Sequence, residues 1–483
     1  MNTPKSLTSL PNELVSEIGA LLPLKERLAF CRTCNNIYSV CIAFIYATTH
    51  IYGSVQVIKW CRTMRTRPHL AQLTKELTLD FLIPIATLSA FATHLKGALR
   101  TLSCLRSIAI FDSVNPLIVS LLADIHYPQL EFLGVAWFPA AHAIVKNHSA
   151  HIRRLTLIPV VPETLDEILL HGGYGDGAVA PLNLPVLTTI RGSVNIAASY
   201  TTASSLLRTL RLNWPAYRTV AGRHADLVAS LSNSSALEVE NSSYDWHLDL
   251  PAAISEHFTQ ITLLAFEHLG GLLPASEPAL TPTRLETINF LDRVQLVLRK
   301  FAHLTVIAIV DGTGSIREPD DTLLFPVLDR DFELVRSWAD LCPTLRVVTL
   351  PFSNITWRTS LTSIPIWLPS DIRAALEQGT ATIPRPETMQ HIKWFLSAVL
   401  GALQIHHDDH GNFEDLTWSL PTQYPLFALV SVGSEGLRDV QLKMNMHENG
   451  LIPDFELLTH ADGRATDGEE YDIVKSRIRF LED

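Results

Sequence analysis

The pattern of hydrophobic and polar positions divides the chain into a short amino-terminal part with helical spacing and a long remainder built on a recurring strand-like phrase. In the first part, apolar residues three or four positions apart predict one side of a helix that begins near Pro11 and ends at Pro23. They are Leu14, Ile18, Leu21 and Leu22. From about Lys25 similar spacing predicts a second helical stretch. Helices within about fifty residues cannot bury an adequate core alone, so they require a further surface in this chain or on another protein.

Beyond residue 70 a short phrase recurs: an aliphatic residue, two variable residues, an aliphatic, one variable residue and an aliphatic. Clear copies begin at Leu105, Leu130, Ile152, Leu207, Ile261, Leu285, Leu304, Leu345 and Leu437, and weaker ones at Thr74, Leu187 and Leu237. Many neighbouring copies stand about 20–25 residues apart, which is the period of leucine-rich repeats. Because side chains alternate across a strand, Leu155 and Leu157 are expected to point inward, and Arg154 and Thr156 outward.

The segments between the phrases have helical patterns, for example over 116–125 and 332–341. Units of this kind bury their apolar faces only by stacking, which predicts an α/β chain. It consists of a small all-helical domain at 1–50, followed by an irregular leucine-rich-repeat solenoid with a parallel concave sheet at 51–355. Uneven spacing indicates an insertion at 356–430 with a helix over 386–403, a last repeat strand at 431–450 and a polar carboxyl-terminal tail at 451–483. The competing fold is a doubly wound sheet, which should bring a glycine-rich phosphate turn after a strand; none is found.

Composition narrows the classes of function. The 483 residues have a net charge of −11 and a mean hydropathy of +0.18, which is typical of a packed, acidic protein. The tightest basic cluster, Arg62, Arg65 and Arg67, has the spacing of a solvated helix face. Affinity for nucleic acid comes largely from basic patches, so we expect no nucleic-acid partner.

One uncharged stretch is long enough to be considered as a membrane-spanning helix. Residues 37–58 carry no Asp, Glu, Lys or Arg, but polar residues such as Thr48, Thr49 and His50 interrupt the middle. A helix followed by a strand explains the stretch better than a membrane span. No apolar leader follows Met1. We therefore expect an intracellular protein, cytoplasmic and/or nuclear, with no membrane partner.

The candidate catalytic and metal-binding motifs lack the residues or the spacing that their chemistry requires. Cys31 and Cys34 are followed by Cys41 and Cys61 rather than by a second close pair, so neither zinc nor disulfides are expected. The run 406–410 (HHDDH) holds adjacent ligands that seldom converge on one ion, and 171–177 (HGGYGDG) lacks the Lys and Ser or Thr of a phosphate loop. We expect no enzyme activity, catalytic residue, cofactor or metal. A hydrolase site assembled only in three dimensions stays open as an alternative.

The amino-terminal sequence LPNELVSEIGALLPLKERLAFCRTCNNIY resembles an F-box. The matching residues are Leu10, Pro11, Glu13, Leu14, Ile18, Leu22 and Leu28, and the continuation to about residue 80 resembles fungal proteins that join an F-box to leucine-rich repeats. The resemblance implies a substrate receptor of a cullin-based ubiquitin ligase, with a Skp-type adaptor and through it a cullin scaffold as partners. It implies an adaptor-binding set of Leu10, Pro11, Leu14, Ile18, Leu22 and Leu28.

An unknown protein substrate would then bind the outward strand positions, because the concave face of a solenoid is the usual binding surface. These positions are Arg154, Thr156, Thr209, Arg211, Thr287, Asn289, Val347 and Thr349. The alternative is a leucine-rich interaction scaffold outside the ubiquitin system, in which the amino-terminal helices only cap the apolar end of the solenoid.

Overall fold

A computed structural model gives the fold of the chain. It describes residues 10–81, 88–111, 116–158, 180–201, 206–214, 223–232, 235–269, 284–312, 324–352, 355–359, 367–370, 416–419, 427–432, 438–447, 450–460 and 471–477. The chain forms two compact units. Unit 1 comprises Met1–Trp214 and Asp226–Ala236, and unit 2 comprises Pro215–Ala225 and Leu237–Asp483.

Unit 1 begins with three helices, α1 (Asn12–Leu21), α2 (Leu24–Cys31) and α3 (Asn35–Tyr46). Pro11 and Pro23 stand immediately before α1 and α2, where a missing amide hydrogen costs the helix nothing. The Cys34 thiol accepts a hydrogen bond from the amide of Ile37 at 3.5 Å and so caps α3. The helical stretch expected from Lys25 is therefore two helices, divided near Cys34.

Residues 37–58 form the body of α3, strand β1 (Thr48–Tyr52) and the start of α4 (Ser54–Thr66). The expected helix followed by a strand is confirmed. Gly53 joins β1 to α4 with a φ of +83°, in the left-handed region that favours glycine.

The rest of unit 1 alternates strands with helices. The strands are β2 (Glu76–Asp80), β3 (Ser107–Ile110), β4 (Phe132–Ala136), β5 (Arg154–Ile158), β6 (Thr189–Ser193) and β7 (Thr209–Asn213). The helices are α5 (Pro68–Ala71), α6 (Leu88–Leu99), α7 (Pro116–Ala123), α8 (Pro139–Asn147), α9 (Val194–Thr201) and α10 (His224–Leu231). Strands β1 to β7 pair in chain order, and each pair is parallel. Parallel neighbours need a crossover, and the described helices supply it at each connection except that from β5 to β6.

The repeated phrase places its aliphatic residues in the core of unit 1. On β5, Leu155 and Leu157 are fully buried, whereas Arg154 is exposed and Thr156 half-buried, as the alternation predicts. The first aliphatic residue of each phrase is also fully buried, as at Leu105, Leu130, Ile152 and Leu207. The α/β assignment and the predicted strands of these copies are confirmed.

Unit 2 continues with β8 (Glu238–Ser243), β9 (Leu263–His268), β10 (Val306–Asp311) and β11 (Val347–Thr349), which pair in parallel, and then β12 (Thr356–Thr359) and β13 (Trp367–Ser370), which pair antiparallel. Its helices are α11 (Leu250–His257), α12 (Arg284–Val297), a 3-10 turn at Leu298–Lys300 and α13 (Leu324–Leu341). A second sheet holds β14 (Leu416–Ser419), β15 (Phe427–Val432), β16 (Arg438–His447), β17 (Gly450–His460) and β18 (Tyr471–Arg477) in antiparallel order.

Two of the repeated phrases do not form the expected parallel repeat strand. The phrase at Leu285 lies in helix α12, because Thr287, Phe290, Leu291, Val294 and Val297 are buried at helical rather than alternate spacing. The phrase at Leu437 enters β16, which pairs antiparallel on both sides and is not a last parallel repeat strand.

The expected tail at 451–483 contains most of β17 and all of β18, and the expected insertion at 356–430 contains β12, β13, β14 and most of β15. The polar and acidic composition of 451–483 predicted a tail, whereas β17 pairs antiparallel with both β16 and β18. The helix expected over 386–403 lies outside the described residues.

Candidate functional site

The amino-terminal helices enclose a very small core. Its buried members are Val15, Cys31, Ile37 and Cys41. Gly19 allows α1 and α3 to approach closely, because a Cβ atom there would lie 2.6 Å from the Sγ atom of Cys41. The Cys41 thiol in turn donates to the carbonyl of Val15 at 3.6 Å. Only the side of α1 that carries Val15 and Gly19 is buried.

Arg27, in the middle of α2, joins the carboxyl ends of α1 and α3. Its guanidinium donates to the carbonyl oxygens of Ala20 in the last turn of α1 and Leu22 just after it, at 3.1 and 2.8 Å, and to that of Phe44 in α3 at 3.0 Å. A cation at helix carboxyl termini also offsets the negative end of the helix dipole. One arginine of α2 therefore fixes the arrangement of α1 and α3.

A different side of α1 and α2 carries exposed apolar side chains, which we call the N-terminal apolar stripe. Its members and their exposed fractions are Leu14 44%, Ile18 37%, Leu21 86%, Leu24 59% and Leu28 39%. The three on α1 are spaced at i, i+4 and i+7, and the two on α2 at i and i+4, so each set lies on one side of its helix. Burying a leucine side chain contributes about 1.5–3 kcal/mol, and these five leave much of that contribution unused.

The six residues expected to bind an adaptor fall into two groups. Leu14, Ile18 and Leu28 are exposed members of the stripe, and Pro11 is exposed at the start of α1. Leu10 and Leu22 are half-buried, and Leu10 packs against the small core. Leu21 and Leu24 belong to the stripe but were not among the six. The signal for Leu21 was its i+7 spacing from Leu14.

The cysteines around this core are thiols. All six cysteines are free, and burial raises the pKa of Cys31 and of Cys41 above its usual value. A raised pKa keeps both thiols protonated near neutral pH, which disfavours them as metal ligands. Among the described residues no group of three His, Cys, Asp or Glu side chains is placed to hold a metal ion.

Four of the residues expected to bind a substrate lie on the outward face of the unit 1 sheet. Arg154 and Arg211 are exposed on β5 and β7, and Thr156 and Thr209 are half-buried beside them. The sequence reasoning missed Arg191 on β6. It is exposed and is the register partner of both Thr156 and Arg211, so it stands between β5 and β7 in the same row. Its phrase, TTIRG after Leu187, was too weak to identify that position.

Thr287 and Asn289 are not strand positions, and their assignment to an outward strand face is wrong. Thr287 is fully buried on α12, where its Oγ1 accepts a hydrogen bond from Nε1 of Trp246 at 3.1 Å. Trp246 stacks on Phe290 one turn further along, with ring centroids 4.6 Å apart. Asn289 is exposed on the same helix. Neither residue faces outward from a strand.

Val347 and Thr349 are outward positions of β11 and are half-buried. The hydroxyl of Thr349 lies 3.0 Å from that of its register partner Thr356 on β12. Thr349, one of the two side chains expected to contact a substrate, therefore contacts strand β12 instead.

Unit 2 contains a buried polar pair that sequence reasoning also missed. His268 ends β9, and its register partner Asp311 ends β10, with Nδ1 and Oδ1 3.7 Å apart. That separation is longer than a hydrogen bond. Burial lowers the pKa of His268, and the charge of Asp311 only partly opposes the shift, so the imidazole is neutral at pH 7.

The neighbouring register partner of His268 is Ser243 on β8, which would be the nucleophile of a hydrolase arrangement. Its hydroxyl donates instead to the carbonyl of Asp245 at 2.6 Å. This geometry directs the serine proton to the backbone rather than to a histidine base, so it favours a structural role for the three residues.

No helix in the described parts of the chain is long and apolar enough to cross a membrane. A scan of the sequence against models of known protein families finds no match, and a search of curated proteins finds no similar sequence.

Proposed function

We propose that this chain is the substrate-recognition subunit of a cullin-based ubiquitin ligase. In this proposal α1–α3 are an F-box that binds a Skp-type adaptor and through it the cullin scaffold, and the strand–helix units are leucine-rich repeats that hold a protein substrate. The observation that supports it best is the N-terminal apolar stripe. Five apolar side chains recur at helical spacing, yet they stay exposed beside a core of four buried residues.

The exposed apolar side chains of the stripe favour a protein partner. Contiguous apolar surface on a folded protein usually marks a contact with another molecule. Covering a half-exposed leucine contributes about 1 kcal/mol, so a groove that accepts several of them supplies a large part of the affinity of a stable complex. The receptor itself makes and breaks no bond. It raises the effective concentration of substrate near the ubiquitin-conjugating enzyme.

The alternative, a helical cap on an interaction scaffold, has one observation in its favour. The carbonyl of Ala47, just after α3, accepts hydrogen bonds from the amides of Lys75 and Glu76 at 2.9 and 2.8 Å, so the helices are continuous with the first strands. A cap covers the array with its apolar side, however, and the stripe on α1 and α2 is exposed.

The test is capture of a recombinant fungal Skp-type adaptor by the full chain. Leu14→Asp with Ile18→Asp should abolish capture, because two carboxylates would be buried in an apolar contact. The matched control is Leu285→Asp with Leu296→Asp, two leucines of α12 that are 66% and 72% exposed. This control should capture the adaptor as the unchanged chain does.

Circular dichroism of both variants verifies the fold. If the Leu14 and Ile18 double variant is folded and still captures the adaptor, the ligase proposal is wrong. Deletion of residues 1–46, which removes α1–α3 but keeps Ala47 and β1, separates the alternative. Loss of a cap precipitates the remaining chain, whereas loss of an adaptor-binding element leaves it soluble.

A further inference from the structure

Arginine is concentrated on one part of the unit 1 sheet. Arg153, Arg154, Arg191, Arg208 and Arg211 are all exposed at or immediately before strands β5, β6 and β7. Arg153 and Arg208 lie at the same end of the sheet, since the amide of Thr188 donates to the Arg153 carbonyl and the amide of Arg208 donates to the Thr188 carbonyl. These five residues are called the arginine surface below.

The described residues on and beside these strands carry no carboxylate. The described residues from β4 to Trp214, which are 132–158, 180–201 and 206–214, include no Asp or Glu. Glu131 borders them, and at the far end of the same sheet β2 carries exposed Glu76 and Asp80. In a chain with a net charge of −11, five exposed arginines on three neighbouring strands therefore concentrate positive charge on this part of the sheet among the described residues.

One arginine of the surface is held in place by packing. Gly134 on β4 leaves room for the ring of Phe132, whose Cζ atom would lie 3.2 Å from a Cβ at that position. The guanidinium of Arg154, the register partner of Phe132, lies over that ring at 5.2 Å. Stacking uses the face of a guanidinium and leaves its in-plane N–H groups to bind an anion.

We infer that the arginine surface binds an acidic, extended segment of a protein partner. The inference rests on the proposed function, in which that partner is the substrate. Neighbouring strands are about 4.8 Å apart and alternate residues about 6.6 Å, so the five charges spread over an area that several carboxylates match better than one phosphate group does. Arg154 already covers the ring of Phe132, which disfavours a nucleic acid that would stack its bases there.

The test measures fluorescence anisotropy of a labelled ten-residue polyglutamate peptide with the full chain. The surface variant is Arg154→Gln with Arg191→Gln and Arg208→Gln. The control variant removes the same charge from exposed arginines elsewhere, as Arg62→Gln with Arg293→Gln and Arg299→Gln. We expect the unchanged chain and the control to bind alike, and the surface variant to bind at least about tenfold more weakly.

The inference is wrong if the unchanged chain does not bind the peptide or if both variants bind it equally. It is also wrong if a neutral peptide with one phosphoserine, or a ten-nucleotide single-stranded RNA, binds more tightly than polyglutamate. Adaptor capture by the same preparations separates the two proposals. If the unchanged chain captures the adaptor but does not bind the peptide, only the inference about the arginine surface is wrong. If it binds the peptide but does not capture the adaptor, only the ligase proposal is wrong.

Discussion

The amino-terminal helices and the strands β2–β7 of unit 1 use the same kinds of aliphatic residues in opposite ways. The strands bury each aliphatic residue of the repeated phrase, as Leu155 and Leu210 show, and leave polar side chains outside. Helices α1 and α2 bury little and leave Leu21 86% exposed. The aliphatic residues of each strand are buried by the adjacent strands and helices, as in repeat architectures. The stripe on α1 and α2 is not covered in this way by the described residues.

The difference shows that periodicity indicates a binding surface only when the periodic residues are also exposed. A periodic set of aliphatic residues that the chain buries explains its own stability. Exposed aliphatic residues contribute little to folding, and a periodic set of five of them on two consecutive helices favours a contact with a partner.

The largest effect is expected from truncation of a buried repeat residue. Leu155→Ala should lower the stability of the chain by about 2–5 kcal/mol, because it removes buried atoms and leaves a cavity. Leu21→Ala should change stability by less than about 0.5 kcal/mol, because Leu21 is mostly exposed. Urea midpoints measured by circular dichroism compare the two. Equal losses would mean that the stripe is part of the core.

A smaller loss is expected from a methyl group added inside the amino-terminal core. Gly19→Ala should cost about 1–3 kcal/mol, because its Cβ would meet the Sγ of Cys41. Combining it with Cys41→Ala should recover part of that cost, since the second change removes the sulfur. Thermal unfolding of both single variants and the double variant gives the coupling. Additive effects would show that α1 and α3 do not pack as described.

The smallest effect is expected on the pH dependence of the stability of the chain, through His148 in unit 1. The Nε2 atom of His148 accepts from the amide of Tyr127 at 2.9 Å, which requires a neutral ring, and burial lowers the pKa of His148 below its ordinary 6.5. Below about pH 6.5 the unfolded chain binds a proton that the folded chain resists, so stability falls as the pH falls.

His148→Gln keeps a side chain that can donate and accept but does not titrate. It should therefore lose less stability between about pH 7.5 and 5.5 than the unchanged chain does. The exposed residue His50 gives the control variant His50→Gln, which should behave as the unchanged chain. An identical slope for His148→Gln would rule out this role of His148.

Much of the fold was predictable because its signals are local. Spacing between aliphatic residues was enough for α1, for β2–β7 and for the outward positions of Arg154 and Thr156. It failed at Leu285, where a six-residue window fits a strand and only the longer pattern through Val297 favours a helix. It failed again at Leu437, because periodicity within one strand carries no information about the direction of its neighbours.

The candidate site was predictable in part for the same reason. The pattern of α1 identified Leu14 and Ile18 but could not distinguish exposed leucines from Leu10 and Leu22, which contact the small core or lie half-buried. The arginine surface was visible only as scattered residues, because Arg191 becomes a neighbour of Arg211 through strand register. The pairing of His268 with Asp311 likewise depends on register between distant segments.

The most direct test of the central claim is the affinity of the full chain for a purified Skp-type adaptor, measured by isothermal titration calorimetry. Leu21→Asp alters the most exposed member of the stripe and should not affect folding. We expect it to weaken binding by at least about tenfold, while Leu296→Asp on α12 leaves the affinity unchanged. Equal affinities for the unchanged chain and both variants, or no binding by any of them, would contradict the account.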